Sequence, residues 1–344
     1  MNIRKIKSRG TSLSLCIASL LMLASCGGGG GSASAPAPGA PVSTLSPISA
    51  SNSTQVASNA YAANGSIGDS STGVSSLLTG VSVDGKAPGV VNPALALLKR
   101  SYAGGAPALL TGVSSSQTQA CAGGGTITVS GTAAGSNGPA NGDKFSITAN
   151  NCVEAGTTMN GAISMTFSNI SGNLFGTGAG AATMDMTFTD FTVAEGTTSA
   201  TVAGDMKLVM SQTAAGTVSL AISGTSLQSI ERKGGVKVSD FRLSNYTATV
   251  SGSGNTFSVS TNYALTGTFG SLGQLSVTVS TLQPFVVGDS GVPSSGSMII
   301  NGAASSVTAT VVPGNKVRLD YSAKGDGVIT QTNTIAWTAF VASL

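Results

Sequence analysis

The sequence predicts an all-β protein with a large curved antiparallel sheet or barrel of about 10–12 strands, one short helix and a flexible N-terminal tether. From residue 126 onward, apolar and polar residues alternate, and residues 183–189 do so without a break. Glycine-rich turn signals separate the alternating segments, and the chain has 47 glycines. Such alternation places apolar side chains on one face and Ser/Thr side chains on the other, which is typical of antiparallel sheets.

The predicted strands and turns follow directly from this pattern. The alternating segments are 144–148, 162–167, 183–189, 201–210, 217–222, 236–250, 256–265, 274–280, 305–312, 316–321 and 328–340. The turn signals between them lie at 141–143, 234–235, 251–255, 313–315 and 325–327. A membrane-spanning barrel fits the strand lengths as well, but its aromatic girdles need more than the 1 Trp, 5 Tyr and 10 Phe present.

The N-terminus carries the features of an export signal. Residues 1–10 are basic, and residues 11–23 form an apolar stretch too short to span a bilayer. The stretch ends in Leu23-Ala24-Ser25-Cys26, which resembles the lipobox of bacterial lipoproteins. That resemblance implies that residues 1–25 are a signal peptide, that Cys26 receives diacylglyceryl, and that the new N-terminus is acylated with a palmitate-type chain.

The residues after Cys26 extend this resemblance. Gly27 follows the cysteine, which by resemblance to Gram-negative lipoprotein sorting favours the outer membrane. A run of glycines at 27–31 and a Ser/Ala/Pro-rich tract reach about residue 58, as in surface-displayed lipoproteins of Gram-negative bacteria. We expect residues 26–58 to form a disordered tether, because this composition is poor in residues that bury a core.

The remaining cysteines predict a disulfide. The lipobox resemblance implies that Cys16 leaves with the signal and that Cys26 is acylated, which leaves Cys121 and Cys152 as an even pair in an oxidising compartment. A metal site would need further ligands, and the chain has no histidine. A redox pair would favour a CxxC spacing. We therefore expect a structural disulfide, and neither a metal site nor a bound cofactor.

Residues 59–120 have a mixed pattern and contain one predicted helix near 93–102. Asn92 is a suitable N-cap, Pro93 suits the first helical position, and Lys99 and Arg100 suit the last turn. The antiparallel β domain is expected to cover residues 121–344.

Several motifs resemble catalytic sites but lack a necessary partner. Residues 288–291 (GDSG) resemble a protease nucleophile segment and residues 68–70 (GDS) a hydrolase block, yet each depends on a histidine base. Residues 176–181 fit the dinucleotide fingerprint, but a strand follows them where a helix is required. Residues 320–327 resemble a degenerate calcium loop with Lys324 at a ligand position. All four segments are predicted to be turns or loops.

The densest group of carboxylates contains Asp185, Asp190, Glu195 and Asp205. A glycosidase needs two facing carboxylates and sugar-binding surfaces. Asp185 and Asp190 are five residues apart, so a regular strand would point them to opposite faces. We interpret the four residues as solvated acids of strands and turns.

Charge and composition limit the partners. Without the four basic residues of the signal, 12 bases face 13 acids, which does not favour nucleic-acid binding. The chain also resembles uncharacterised proteobacterial exported proteins in the segments 317–320, 325–327, 334–337, 123–125, 151–152 and 160–161. The expected function is a non-enzymatic binding or structural module, anchored to outer-membrane lipid through Cys26. The alternative is a carrier that holds a hydrophobic ligand in a barrel-like cavity.

Overall fold

A computed structural model describes residues 44–63, 91–103, 115–133, 138–172, 179–288 and 290–342. Within these ranges, 14 antiparallel strands form one sheet, with a few short helices beside it. The predicted all-β class is confirmed, and the strands outnumber the predicted set. Residues 1–25 and Cys26 lie outside the described residues.

The helices are α1, whose described part covers 53–63, α2 (Val91–Ala103) and α3 (Trp337–Ala342), and a 3-10 turn covers Gly270–Leu272. The strands are β1 (Ser115–Ala120), β2 (Thr126–Thr132), β3 (Lys144–Glu154), β4 (Thr157–Gly172), β5 (Gly180–Glu195), β6 (Thr198–Gln212), β7 (Val218–Lys233), β8 (Val236–Ser253), β9 (Thr256–Phe269), β10 (Gly273–Val287), β11 (Pro293–Gly302), β12 (Ser305–Val312), β13 (Lys316–Ser322) and β14 (Gln331–Ala336).

The sheet is a meander in which every strand pairs with its neighbours in sequence. Strands β1 and β14 form its two edges and do not pair with each other in the described ranges, so the sheet is open. The connections alternate between two ends. The end that holds the connections β1–β2, β3–β4 and so on to β13–β14 is called the disulfide rim, because Cys121 and Cys152 lie there. The other connections and α3 lie at the opposite rim.

The strand boundaries differ from the predicted ones at both ends of the domain. Strand β1 precedes the predicted start at residue 121, and its sequence SSQTQA lacks the alternation that identifies a strand. The segment 328–340, predicted as one strand, contains β14 and then α3. Trp337 and Phe340 are both buried and three residues apart, which is the spacing of one helix face.

Bulges bend the sheet and change the phase of the alternation. In β5, Met186 and Phe188 are buried, and after the bulge residue Asp190 the buried positions become Phe191 and Val193. Asp190 has φ 45°, the left-handed backbone conformation found at such bulges. Register shifts interrupt neighbouring strands too, including β3, β7 and β8. The inserted residues keep the apolar side chains on one face along strands of up to 18 residues.

Residues 44–58 are folded, which corrects the prediction that the tether continues to residue 58. The Ser46 backbone N–H donates to the Ser276 carbonyl at 2.7 Å, and the Ser46 carbonyl accepts from Ala303 N–H at 2.9 Å. Ile48, two residues after Ser46 in this segment, is buried. The chain therefore enters the sheet at the disulfide rim, between β10 and the β11–β12 turn.

Helix α1 follows directly and covers part of the apolar face. Ser49 and Asn52 cap it reciprocally: Ser49 N–H donates to Asn52 Oδ1 at 2.8 Å, and Asn52 N–H donates to Ser49 Oγ at 3.3 Å. Val56, Ala57 and Ala60 are fully buried, at the spacing of one helix face. Burial of this stripe against the sheet outweighs the polar composition on which the disorder prediction rested.

The predicted helix near 93–102 is confirmed as α2. Its buried residues Ala94, Leu95, Leu97 and Leu98 join the same apolar core as α1 and the inward face of the sheet. Every described residue belongs to one compact unit, Ser43–Leu344. None of the helices in the described ranges has the length and apolar character needed to cross a membrane.

Candidate functional site

The disulfide between Cys121 and Cys152 is present, as predicted. The sulfur atoms are bonded, and the two Cα atoms are 5.4 Å apart. It joins the β1–β2 turn to the end of β3, and Cys152 is fully buried. A carboxylate oxygen of Glu154 lies within 4.8 Å of both sulfurs, but bonded sulfurs offer no thiolate to a metal ion.

An ion pair reinforces the same corner of the sheet. The Arg100 guanidinium, in the last turn of α2, pairs with the Glu154 carboxylate and donates to the Ala120 carbonyl. Glu154 also accepts from Ala122 N–H at 3.1 Å. A cation in the last helical turn is further stabilised by the helix dipole. Arg100 therefore links α2 to the loop that the disulfide closes. The sequence placed Arg100 at a helix end but gave no signal for its partner.

Among the described residues, three buried polar atoms beside this corner have no hydrogen-bond partner: Gln117 Oε1, Gln119 Nε2 and Arg100 Nε. Gln117 and Gln119 lie opposite Val129 and Ile127 of β2, which face the core. Directly paired residues of an antiparallel ladder share a face, so the two glutamines point toward the apolar interior. Unpaired buried polar atoms are rare in proteins and require a reason.

An aromatic cluster lies at the C-terminal end of α1, against the apolar face of the sheet. The Tyr61 ring contacts Trp337, Phe285 and Phe340, with ring centroids 5.1, 5.7 and 5.8 Å apart respectively. The buried Tyr263 hydroxyl donates to the Ala60 carbonyl. Burial, and to a smaller extent the nearby Tyr61, raises the pKa of the Tyr263 phenol. These contacts hold α1 between β9, β10 and α3.

The outward face carries the carboxylates singled out in the sequence. Asp185 and Asp190 are both exposed, so the expectation that they point to opposite faces is wrong. The bulge at Asp190 adds one residue and removes the simple alternation between them. Asp185 lies 4.0 Å from the Lys207 ammonium across strands β5 and β6, and both side chains are more than half exposed. Such exposed pairs contribute little to stability.

Asp205 lies beside them in a shallow polar depression of about 240 Å³ that Ser164, Thr166, Asp185 and Lys207 also line. Its carboxylate accepts from the Thr225 hydroxyl at 2.6 Å and from the backbone N–H groups of Thr225 and Ser226. Burial alone would raise the pKa of Asp205, but these hydrogen bonds outweigh it, and the pKa falls below its ordinary value.

Asp205 therefore stabilises a bulge of β7 through its hydrogen bonds to Thr225 and Ser226. The Tyr246 hydroxyl donates to the Asp205 carbonyl at 2.5 Å from the buried side. A Cβ on Gly224 would lie 2.4 Å from the Tyr246 ring, so only glycine fits there. The Asp205 carboxylate therefore has a structural role in the sheet, and this role does not require a substrate.

No family model, curated protein or solved structure matches this chain.

The described residues of the remaining motif segments lie in or next to connections between strands. Gly291 N–H donates to the Gly288 carbonyl at 3.0 Å, so Gly288, Ser290 and Gly291 lie in a turn between β10 and β11, while Asp289 lies outside the described residues. Asp326 accepts from Ser322 Oγ and from Val328 N–H within the β13–β14 connection. The turn is confirmed for the described residues of 288–291, whereas in 320–327 only the residues after Ser322 lie in the connection, because residues 320–322 end β13. Residues 180–181 begin β5, and β4 precedes the segment, so strands stand on both sides as expected, whereas residues 176–178 and 68–70 lie outside the described ranges.

Proposed function

We propose that this chain is an outer-membrane lipoprotein whose β domain is a non-enzymatic module for binding or support. The observation that carries the proposal is the Leu23–Ala24–Ser25–Cys26 lipobox after a basic and apolar leader. The disulfide supports export, because such bonds persist in oxidising compartments. The outward strand faces offer mostly uncharged Ser and Thr hydroxyls, and the Asp205 carboxylate is engaged in the sheet.

Intact-mass measurement of the chain from a Gram-negative host tests the anchor. We expect the measured mass to be that of a chain that begins at Cys26 and carries acyl groups. We also expect the protein in the outer-membrane fraction. The Cys26→Ser chain should lack that mass, whereas Cys16→Ser should retain it because Cys16 leaves with the signal. An unmodified Cys26 in the purified wild-type chain contradicts the proposal.

The binding role is tested separately from the anchor. Protease treatment of intact cells reports whether the domain faces outward, and a screen of ester, peptide and glycan substrates tests the non-enzymatic role. Turnover that persists in repeated purifications contradicts it.

A carrier of a hydrophobic ligand is the second candidate, and the orphaned atoms of Gln117, Gln119 and Arg100 favour it. They combine a hydrogen-bond acceptor with two donors at the margin of an apolar core, which suits the polar group of a lipid. Native mass spectrometry of the chain purified from cells should then show a bound lipid. The Gln119→Leu chain should lose it, and a clean apo mass for the wild-type chain counts against the carrier.

A further inference from the structure

Exposed apolar side chains are concentrated at the disulfide rim. Six large hydrophobic residues are exposed among the described residues, and four lie at this rim. Val236 (68% exposed) and Val238 (41%) begin β8 beside the β7–β8 turn, and Val328 (63%) and Ile329 (55%) lie in the β13–β14 connection. The other two are Val209 and Leu282, which lie nearer the opposite rim.

An exposed lysine side chain lies next to each of the two apolar loops. Lys233 and Lys324 are exposed and form no ion pair among the described residues. The acids nearby are already engaged: Glu231 accepts from Ser239 Oγ at 2.7 Å, and Asp326 accepts from Ser322 and Val328. Each loop therefore presents apolar side chains together with an unpaired positive charge, the combination that favours an anionic lipid interface.

The entry point of the N-terminal segment is at the same rim. Ser46 bonds to Ser276 and Ala303 there, and α1 starts beside the β9–β10 turn, where Gln55 donates to Ser271 Oγ at 3.2 Å. The 18 steps from Cys26 to Thr44 span at most about 65 Å. Strand β10, which the entering segment contacts, has 15 residues and is about 50 Å long. An anchored chain therefore reaches the membrane with less extension at the disulfide rim than at the opposite rim.

We propose that the disulfide rim lies on the lipid surface, with the β7–β8 and β13–β14 loops in the headgroup layer and the opposite rim directed away. The orientation rests on the proposed lipid anchor at Cys26. The contact of the two loops with lipid is a separate property, and its partner is an anionic phospholipid surface.

Tryptophan quenching by brominated phospholipid tests the contact in the full chain, reconstituted in vesicles of phosphatidylglycerol and phosphatidylethanolamine. Val328→Trp and Val236→Trp are made in a Trp337→Phe background, with Val209→Trp as the control at an exposed valine (43%) nearer the opposite rim. Because interfacial side chains enter about 5–10 Å into the headgroup boundary, we expect emission of both rim variants to fall about twofold. The Val209→Trp emission should not change.

Hydrogen exchange of the wild-type chain gives the same test without substitutions. We expect vesicles to slow exchange in residues 231–240 and 323–330 and to leave the β6–β7 turn at 213–217 unchanged. Lys233→Glu with Lys324→Glu should reduce that protection on anionic vesicles. Unquenched rim variants, or equal quenching of the Val209→Trp variant, would overturn the proposal. The intact mass of the same sample reports acylation of Cys26, so failure of the anchor is distinguished from failure of the rim contact.

Discussion

Removal of the Cys121–Cys152 disulfide gives the most quantitative test of the fold. The two cysteines are 31 residues apart, so closing this loop lowers the entropy of the unfolded chain by about 12 cal/mol/K. The Cys121→Ala/Cys152→Ala chain should therefore lose about 3.7 kcal/mol of unfolding free energy at 298 K. The folded state should keep its sheet, because β2 pairs with β3 along the whole of β2.

Urea denaturation measures this loss with two independent signals. Trp337, the only tryptophan of the chain, is buried at the opposite rim and reports through its emission, while far-UV circular dichroism reports on the strands. With a urea dependence of about 3 kcal/mol/M, the midpoint should fall by roughly 1 M. If the sheet unfolds as a unit, both signals shift together although Trp337 lies far from the disulfide.

A reductant supplies the matched control. Wild-type protein treated with a dithiol keeps both sulfur atoms but loses the cross-link, so its midpoint should approach that of the alanine variant. The same reductant should leave the variant unchanged. The reasoning is refuted if the variant unfolds at the wild-type urea concentration, or if the reductant destabilises the variant as much as the wild type.

Three further substitutions test the sheet and α1. Asp205→Asn should lower the urea midpoint at pH 7. It should have no effect at a pH below the lowered pKa of Asp205 in the folded chain, because a depressed carboxylate pKa stabilises the fold only above that range. A difference in urea midpoint between variant and wild type that is as large at about pH 2 as at pH 7 contradicts this. Gly161→Ala should lower the unfolding free energy by more than the about 1–3 kcal/mol that a strained backbone conformation costs. The reason is that Gly161 has φ +94° and a Cβ would also lie 2.3 Å from a β5 carbonyl oxygen. Gly156→Ala is the control, with φ +84° and open space. Val56→Asp should lower the melting temperature strongly and Thr54→Asp only slightly, since Val56 is fully buried and Thr54 half-buried; equal effects would show that α1 does not pack on the sheet.

Local patterns were sufficient to predict the class of the fold. The alternation in residues 183–189 identifies β5, and the cap and charges of residues 92–100 identify α2. The alternation also hides the bulges, because an inserted residue such as Asp190 resembles the end of a strand in the sequence. A strand is then predicted short, as 183–189 is beside the observed Gly180–Glu195.

Contacts between distant residues could not be predicted in this way. The pairing of Cys121 with Cys152 followed from the cysteine count together with the lipobox resemblance, which assigns Cys16 to the signal and Cys26 to acylation. Arg100 and Glu154 are far apart in sequence and meet only because the last turn of α2 lies beside the end of β1. The start of α1 did have a local signal, the Ser49–Asn52 cap before an apolar stripe, but the surrounding Ser and Ala residues favoured a tether.

The open sheet depends on its helices in a way that constrains the carrier hypothesis. A closed barrel removes its edges and encloses its interior, but here the apolar face is covered by α1 and α2. The Ala60 carbonyl of α1 is bonded to Tyr263 of β9, and the Ser58 hydroxyl donates to the Phe340 carbonyl of α3. Among the described residues, the unpaired polar atoms lie beside α2, so we expect a hydrophobic ligand to enter there, because displacement of α1 would break these buried bonds. Because α2 is fastened by Arg100 at the disulfide rim, lipid entry would occur next to the surface proposed to contact the membrane.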